Sequence, residues 1–503
     1  MRNHLRGLAA AVLCCGAQAA QAIPEGPEYP SAAWTQRELA NYARTLEGPT
    51  EQATNPAFLL RLQLQSVFNA QQWLLRGLKD PSWLSPLAAN TAVLPLCTTW
   101  AEQCAGDPYR YPGIDPFYET EGEVTPVVFY DHGCARISGR VWKPRASTGR
   151  ALPGVVIENG SIQAPEPLYW WMAQALVRQG YTVLTFDPRG QGRSDMQTPS
   201  GGQGGNFNSA VFWEGLVDAI DFFHSTPVAP YPHNLSCAGR YPTEVAAFNP
   251  DHAVQDRGRL GIAGHSLGAR GVSVVQSYGG PGAAPWPGLL DAQNPVDVIV
   301  AWDSLSSGDG IVPRVPAMGQ TSEYGIAGTP LLSPPDPEAH KAGYEQWVAA
   351  GQPVFQLTIQ GSTHFEWSLI PTFPSSSWCP KTSNGRCEGG WGRPLAEHYS
   401  VAWLDRWLKQ PGEAGYADAD QRLLADADWQ ERYSFHYRSA RHYPTRAGRT
   451  AACDDIRAGC THPSLDDAGG GTGGGSSGGA PGTGLLGLLL ALALRRRAML
   501  RGP

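Results

Sequence analysis

Residues 260–268, Leu-Gly-Ile-Ala-Gly-His-Ser-Leu-Gly, join a short apolar run directly to a Gly-x-Ser-x-Gly motif centred on Ser266. The apolar run predicts a buried strand, and the segment that follows Gly268 is compatible with a helix. Glycines two positions on either side of the serine permit a turn that is too tight for larger residues. Such a turn raises the serine hydroxyl above the sheet and points the N–H of Leu267 at the same space. We therefore predict Ser266 as a nucleophile and Leu267 as an oxyanion donor; the alternative is a Gly-rich loop with an idle serine.

A serine nucleophile needs a base, and His364 is the best-placed histidine downstream of it. An alkoxide does not form at neutral pH, so a histidine must take the proton and an acid must orient the histidine. Residues 353–359 predict a buried strand, and His364 follows in the turn that leaves it. His340 lies in an acidic, helix-like stretch, which favours a solvated surface residue instead.

The acid can be one of three carboxylates. Residues 296–303 predict the first strand after the serine, and residues 315–325 predict a shorter second strand that ends in Glu323. In chains with serine, acid and histidine in this order, the acid usually follows the second of these strands. We therefore predict Glu323, with Asp303 and Asp309 as the alternatives.

The upstream half of the chain predicts more of a parallel sheet. Residues 152–161 predict a buried strand that enters a Gly-containing loop, where the N–H of Ser161, or of Ile162, would be the second oxyanion donor. Residues 167–177 have the apolar spacing of a helix, and residues 181–186 predict another buried strand. A strand, a helix and a strand of these lengths imply a right-handed crossover between parallel strands.

Three of these motifs together resemble the α/β-hydrolase superfamily: Asp-Pro-Arg-Gly-Gln-Gly-Arg-Ser at 187–194, Gly-His-Ser-Leu-Gly at 264–268 and Gly-Ser-Thr-His at 361–364. More narrowly, they resemble bacterial secreted serine esterases and lipases related to the dienelactone-hydrolase and polyester-hydrolase branches. The resemblance covers residues 125–410. It implies an α/β class protein with the α/β-hydrolase fold, in which helices flank a mostly parallel central sheet. It also implies that Asp187 and Arg189 form a buried or half-buried polar pair and are not catalytic.

The resemblance further implies a secreted serine hydrolase that cleaves carboxylic esters through an acyl-enzyme intermediate, without a cofactor or a metal. Ser266 would attack the carbonyl, His364 would take the proton and Glu323 would orient the histidine. The amides of Leu267 and Ser161 would form the oxyanion hole. The partner would be a small-molecule or lipid-like ester. The alternatives are an amidase or peptidase that uses the same residues, and a non-catalytic surface-binding protein on the same scaffold.

Composition and the two termini indicate an exported protein. The chain has 503 residues and a net charge of −7, with no basic cluster in its globular part, so we expect no nucleic-acid partner. A basic start, an apolar core and the small residues at 20–22 predict a signal peptide. The Gly/Ser stretch 469–484, the apolar stretch 485–494 and the arginines 495–497 resemble a bacterial GlyGly-CTERM sorting tail. The apolar stretch is only about half a membrane span.

The predicted organisation has five parts: a signal peptide (1–22), a helical N-terminal extension (23–124), a catalytic domain with loop insertions (125–412), a C-terminal extension (413–465) and the sorting tail (466–503). We predict that the protein is extracellular or at the cell surface and is transiently anchored in the membrane by the tail. The export and sorting machinery would then be partners of the tail.

The cysteines suit an oxidising compartment. Eight of the ten cysteines remain after the predicted signal peptide, and three pairs are close in sequence: Cys97–Cys104, Cys379–Cys387 and Cys453–Cys460. Elimination then pairs Cys134 with Cys237, although sequence alone allows many other connectivities. Zinc binding is the alternative, but no Cys-x-x-Cys spacing supports it.

The loop that follows His364 is rich in tryptophan. Its residues Trp367, Trp378 and Trp391 are candidates either for substrate contact or for packing within the loop. Because this loop begins directly after the histidine, we expect it to border the mouth of the site.

Overall fold

The structure is a computed structural model that describes residues 26–56, 60, 67, 71, 74–83, 115–146, 149–161, 164–205, 207–326, 328–368, 381–383, 386–388 and 391–465. The predicted signal peptide, Ile162, Trp378 and the predicted sorting tail lie outside these residues. Within the described part of the chain, no helix is both long enough and apolar enough to cross a bilayer.

The described residues form twelve strands: β1 Gly122–Tyr130, β2 Arg136–Pro144, β3 Leu152–Glu158, β4 Thr182–Asp187, β5 Gln255–His265, β6 Val296–Trp302, β7 Ala317–Ser322, β8 Val354–Ile359, β9 Lys381–Ser383, β10 Arg386–Glu388, β11 Ala440–Pro444 and β12 Thr450–Cys453. Ten of these strands form one sheet, with the order β1-β2-β4-β3-β5-β6-β7-β8-β11-β12. The six neighbouring strands from β4 to β8 in this order are mutually parallel, and the strands at both edges are antiparallel. A separate hairpin is formed by β9 and β10.

The helices with described bounds are α1 Ala32–Thr54, α2 Phe117–Thr120, α3 Trp170–Arg178, α4 Val211–His224, α5 Pro232–Ser236, α6 Leu267–Val275, α7 Ala342–Ala349, α8 Gly392–Leu408, α9 Ala419–Leu423 and α10 Asp426–Trp429. Short 3-10 turns lie at Pro81–Trp83, Glu166–Tyr169, His252–Val254, His364–Trp367 and Gln430–Arg432.

Both faces of the sheet are buried, which explains the continuous apolar runs in its strands. Successive side chains of a strand point to opposite faces. In β3, Val155 and Ile157 lie in one core with residues of α3 and α8. Val156 lies in the other core with residues of α4 and α6. The predicted α/β class, with helices flanking a mostly parallel central sheet, is confirmed.

The sheet extends further along the chain than the predicted catalytic domain. Strands β11 and β12 continue it beyond β8, although they belong to the predicted C-terminal extension. The N-terminal extension is helical in α1, whose first turn is capped by Ser31: its Oγ accepts from the Trp34 N–H at 3.1 Å. Helix α1 lies against the sheet-bearing unit, since Glu38 pairs with the buried His436.

Two of the four predicted disulfides are present, Cys134–Cys237 and Cys453–Cys460. The other two predicted pairs include Cys97, Cys104 and Cys379, which lie outside the described residues. The first bond joins the turn between β1 and β2 to the end of α5.

We expect the Cys134–Cys237 bond to stabilise the fold more than the Cys453–Cys460 bond. The two bonds close sequence separations of 103 and 7 residues. Loop-closure entropy then assigns them about 5 and about 2 kcal/mol respectively. Urea unfolding of the Cys134→Ser/Cys237→Ser and Cys453→Ser/Cys460→Ser double variants measures both losses. Equal losses in the two variants would contradict the entropic argument.

Candidate active site

Ser266 occupies the tight turn between β5 and α6, as the motif predicts. Its backbone has φ 58° and ψ −118°, a conformation that costs energy for any residue with a side chain. A Cβ atom on Gly264 would lie 2.3 Å from the Gly268 carbonyl oxygen, and one on Gly268 would lie 2.4 Å from the Asn159 carbonyl oxygen. The two glycines are therefore required for the turn to form and to pack against the end of β3. The serine side chain stays partly exposed at the sheet edge.

His364 lies against Ser266. It follows β8 at the start of a 3-10 turn, and its Nε2 is 2.9 Å from Ser266 Oγ. The side chain is 14% exposed. The structure thus brings together the two residues that the sequence separates by 98 positions.

The carboxylate that contacts His364 is Asp303, which follows β6. Its Oδ2 accepts a hydrogen bond from His364 Nδ1. Since a carboxylate can only accept, the proton lies on Nδ1 and leaves Nε2 free to accept from the Ser266 hydroxyl. The other oxygen, Oδ1, accepts from both the N–H and the hydroxyl of Ser322 at 2.8 Å. Burial raises the pKa of Asp303, but the hydrogen bond and charge of His364 and the Ser322 N–H outweigh it, so that the net pKa lies below the usual value.

Glu323, the acid predicted from the sequence, does not contact His364. Its carboxylate accepts from the Gly361 N–H at 2.6 Å, from Ser434 Oγ and from Asn41 Nδ2. The backbone of Asp303 explains the difference: its φ of 60° turns the chain so that the carboxylate reaches the end of β7. Asp309, the other alternative, is exposed.

Glu323 instead holds the turn that carries the histidine. It joins three separate segments, namely α1, the Gly361 turn and the stretch before β11. The N–H of Glu323 itself faces Ser362 Oγ at 3.3 Å. Glu323 is buried, and burial raises its pKa although the His436 charge and the hydrogen bonds oppose the shift.

The two predicted oxyanion donors lie on adjacent segments. Leu267 is the first residue of α6, and Ser161 follows the loop at the end of β3. A Cβ on Gly160 would lie 3.3 Å from Ser266 Cβ, so this loop passes directly beside the serine. Within the described residues neither the Leu267 N–H nor the Ser161 N–H donates a hydrogen bond. Both amides therefore lack an acceptor in the part of the chain that the structure describes.

A buried polar chain links the loop beside Ser266 to the histidine turn, and the sequence motifs gave no sign of it. The Gly160 N–H donates to the Tyr169 hydroxyl at 3.0 Å, and that hydroxyl donates to His265 Nδ1 at 2.9 Å. His265 Nε2–H in turn donates to the His364 carbonyl oxygen at 2.8 Å. Burial, together with the nearby His364, lowers the pKa of His265 to about 3. These hydrogen bonds require a neutral His265, because its Nδ1 accepts a hydrogen bond while its Nε2–H donates one.

The low pKa of His265 predicts a specific loss of stability in acid. The unfolded chain binds this proton near the ordinary pKa of 6.5, whereas the folded protein does so near 3. The contribution is therefore complete above pH 6.5 and is lost as the pH falls towards 3, by up to about 1.4 kcal/mol per pH unit. We expect the free energy of unfolding, measured in urea from pH 7 to pH 4, to fall less steeply in His265→Gln. Parallel profiles would contradict a neutral His265.

The remaining sequence candidates have structural contacts. Trp367 is fully buried, and its Nε1–H donates to Gln320 at 2.8 Å. His340, predicted to be solvated, is instead half-buried. Its ring stacks on that of Tyr437, with 3.7 Å between the two ring centroids. Trp391 is also half-buried, and the guanidinium groups of Arg44 and Arg432 lie over its ring.

Asp187 and Arg189 are both buried, but they do not pair with each other. Asp187 accepts from Asn159 Nδ2 at 2.9 Å and thereby braces the loop beside Ser266. Arg189 pairs with Asp131. Burial raises the pKa of Asp187 to about 6.

A cavity of about 450 Å³ borders Asp303. Its lining includes Ser304, Ser322, His340 and the exposed Arg270 of α6. Among the residues that the structure describes, no group of three or more His, Cys, Asp or Glu side chains is arranged to hold a metal ion.

No family model matches this chain, and no curated protein matches it. The case for its function therefore rests on the geometry around Ser266 and on the motifs that produce it.

Proposed function

We propose that this protein is a serine hydrolase of the α/β-hydrolase fold that cleaves carboxylic esters through an acyl-enzyme intermediate. One observation carries the proposal: Ser266, His364 and Asp303 form a continuous chain of hydrogen bonds. The serine lies on a strained turn, and the residue is partly exposed. Such a chain is the arrangement that activates a hydroxyl at neutral pH.

The reaction would begin when Ser266 Oγ attacks the acyl carbonyl while His364 Nε2 takes its proton. The Asp303 carboxylate would hold the ring and stabilise the imidazolium that forms. The carbonyl electron pair would move onto oxygen, where the Leu267 and Ser161 amides can donate to it. When the carbon–oxygen bond to the alcohol breaks, the histidine returns its proton to the leaving alcohol.

Water would then complete the cycle. His364 would remove a proton from water as its oxygen attacks the acyl-serine carbonyl. The bond to Ser266 Oγ would break, the serine would regain its proton, and the free acid would leave. This cycle uses only residues of the chain, and its net reaction is ester plus water to acid plus alcohol.

A fluorophosphonate probe tests the proposal, since it phosphonylates only activated serines. We expect labelling of Ser266 at pH 7–8, located by peptide mapping, and hydrolysis of p-nitrophenyl esters but not of the matching anilides. Hydrolysis of the anilides at a similar rate would indicate an amidase. The absence of labelling in folded protein would favour a non-catalytic binding scaffold.

We also propose that the protein is exported. Two disulfides, Cys134–Cys237 and Cys453–Cys460, support this proposal because such bonds persist in oxidising compartments. The signal peptide at 1–22 and the sorting tail at 466–503 remain predictions from the sequence. The natural substrate would then be a small-molecule or lipid-like ester met outside the cytoplasm.

A further inference from the structure

We propose that a cavity beside α1, separate from Ser266, binds a small molecule that carries two or more anionic groups such as carboxylates or phosphates. The cavity has a volume of about 750 Å³, within the range of small-molecule sites. It lies between α1 and the C-terminal part of the chain. Four arginines and one tryptophan line it: Arg37, Arg44, Arg432, Arg457 and Trp391.

Three of these arginines form no ion pair with any residue that the structure describes: Arg37, Arg44 and Arg457. The acceptors that the described part of the chain offers to Arg457 are neutral oxygens, the Tyr433 carbonyl at 2.5 Å and the Gln360 side chain at 3.3 Å. Buried or half-buried guanidinium groups are normally paired, because removing a charge from water is costly.

Arg44 provides the most specific support for an anion in this cavity. Its Nη1 is buried from solvent, yet no atom of the described residues forms a hydrogen bond with it. A buried charged donor without an acceptor costs more than an ordinary unmade hydrogen bond. An anionic oxygen in the cavity would satisfy it.

The charges around the cavity favour an anion over a cation or a neutral ligand. Burial lowers the pKa of both Arg37 and Arg457; the buried Glu323 carboxylate opposes this shift, whereas the repulsion between the arginines adds to it. The lining carboxylates, Asp428 and Glu431, are exposed and leave a net positive lining. Four arginines and two carboxylates leave the lining with two net positive charges, which one negative charge would not balance, and we therefore infer a multivalent anion.

Trp391 holds two of the arginines in place before any ligand arrives. The Arg44 guanidinium carbon lies 4.2 Å from its ring centroid, and that of Arg432 lies 4.8 Å from it. Cation–π contacts of this kind reduce the side-chain freedom that binding would otherwise remove.

Binding of inorganic pyrophosphate and of citrate to the full chain tests the inference. Calorimetry at constant ionic strength, with acetate as a monovalent comparison, should give saturable binding of at least one multivalent anion and none of acetate. Loss of a charge-assisted hydrogen bond should make Arg44→Gln bind about ten- to a hundredfold more weakly. The control Arg449→Gln removes the same charge from an exposed site outside the cavity and should bind as the wild type does.

A second variant keeps the test decisive if Arg44→Gln does not fold. Ala40 lines the cavity on the exposed side of α1, so Ala40→Glu would place a carboxylate within it. We expect this variant to fold, to melt at a higher temperature and to lose binding of the anion. Wild-type affinity in Ala40→Glu, equal weakening in Arg449→Gln, or no saturable binding of either anion would overturn the proposal. Binding to anionic lipid vesicles alone would overturn it as well, because the proposed ligand is a free small molecule.

Discussion

Replacing Ser266 with alanine is expected to lower kcat for ester hydrolysis by about a million-fold, because removal of an activated nucleophile abolishes the acyl-enzyme route. The turn should survive the change, since Gly264 and Gly268, rather than the serine side chain, permit the close backbone packing around it. Fluorophosphonate labelling should disappear together with the activity. Steady-state rates on a p-nitrophenyl ester and the melting temperature together measure the effect.

The control for this variant is Ser236→Ala, which removes an exposed hydroxyl on α5. We expect it to retain the wild-type rate and labelling. Residual turnover of Ser266→Ala close to that of the wild type, in folded protein, would rule out the proposed nucleophile.

The second large effect is expected for Asp303→Asn, at about ten-thousandfold in kcat. The amide can donate to His364 Nδ1, so it would favour the wrong tautomer and place a proton on the nitrogen that faces Ser266. It would also lose the negative charge that stabilises the imidazolium. The Ser322 N–H and hydroxyl can still donate to the remaining oxygen, so the fold should persist.

Glu323→Gln separates the two carboxylates. Its amide oxygen can keep the bond from the Gly361 N–H, so we expect a change in kcat of about tenfold or less, with a lower melting temperature. A loss in Glu323→Gln equal to that in Asp303→Asn would contradict the assignment of Asp303. Rates at saturating ester, measured from pH 6 to pH 9, compare the two variants directly.

The parts of the site that sequence could predict are those fixed by local pattern. The glycines around Ser266 and the apolar run before it determine a strand and a tight turn whatever else surrounds them. His364 follows a buried strand that is rich in apolar residues and then a glycine, so its position after the end of that strand follows in the same way. Both segments lie where the chain alone predicts them.

The acid could not be chosen in this way, because the choice depends on one backbone angle. Asp303 and Glu323 both follow buried strands, and the positive φ of Asp303 directs its carboxylate to the histidine. No glycine or asparagine marks that turn in the sequence. The one available signal was that Asp303 directly follows the apolar run 298–302 at the end of β6.

Contacts between segments that are far apart in the chain could not be predicted from the sequence either. The lining of the arginine cavity is drawn from both ends of the described chain, Arg37 and Arg44 at one end and Arg432 and Arg457 at the other. Each of these residues has neighbours typical of a solvated helix or loop. Only the packing of α1 against the segments before β11 and after β12 places them together.

The bonds of Glu323 bear on how the protein can be shortened. Two of its three partners, Asn41 and Ser434, lie outside residues 125–412. A fragment trimmed to those limits would leave an interior acid with a single donor, and it would expose the edge of β8 where β11 now pairs. A fragment that keeps His364 aligned must therefore include both flanking segments, the one with Asn41 and the one with Ser434. These segments are needed for the active site to keep its geometry.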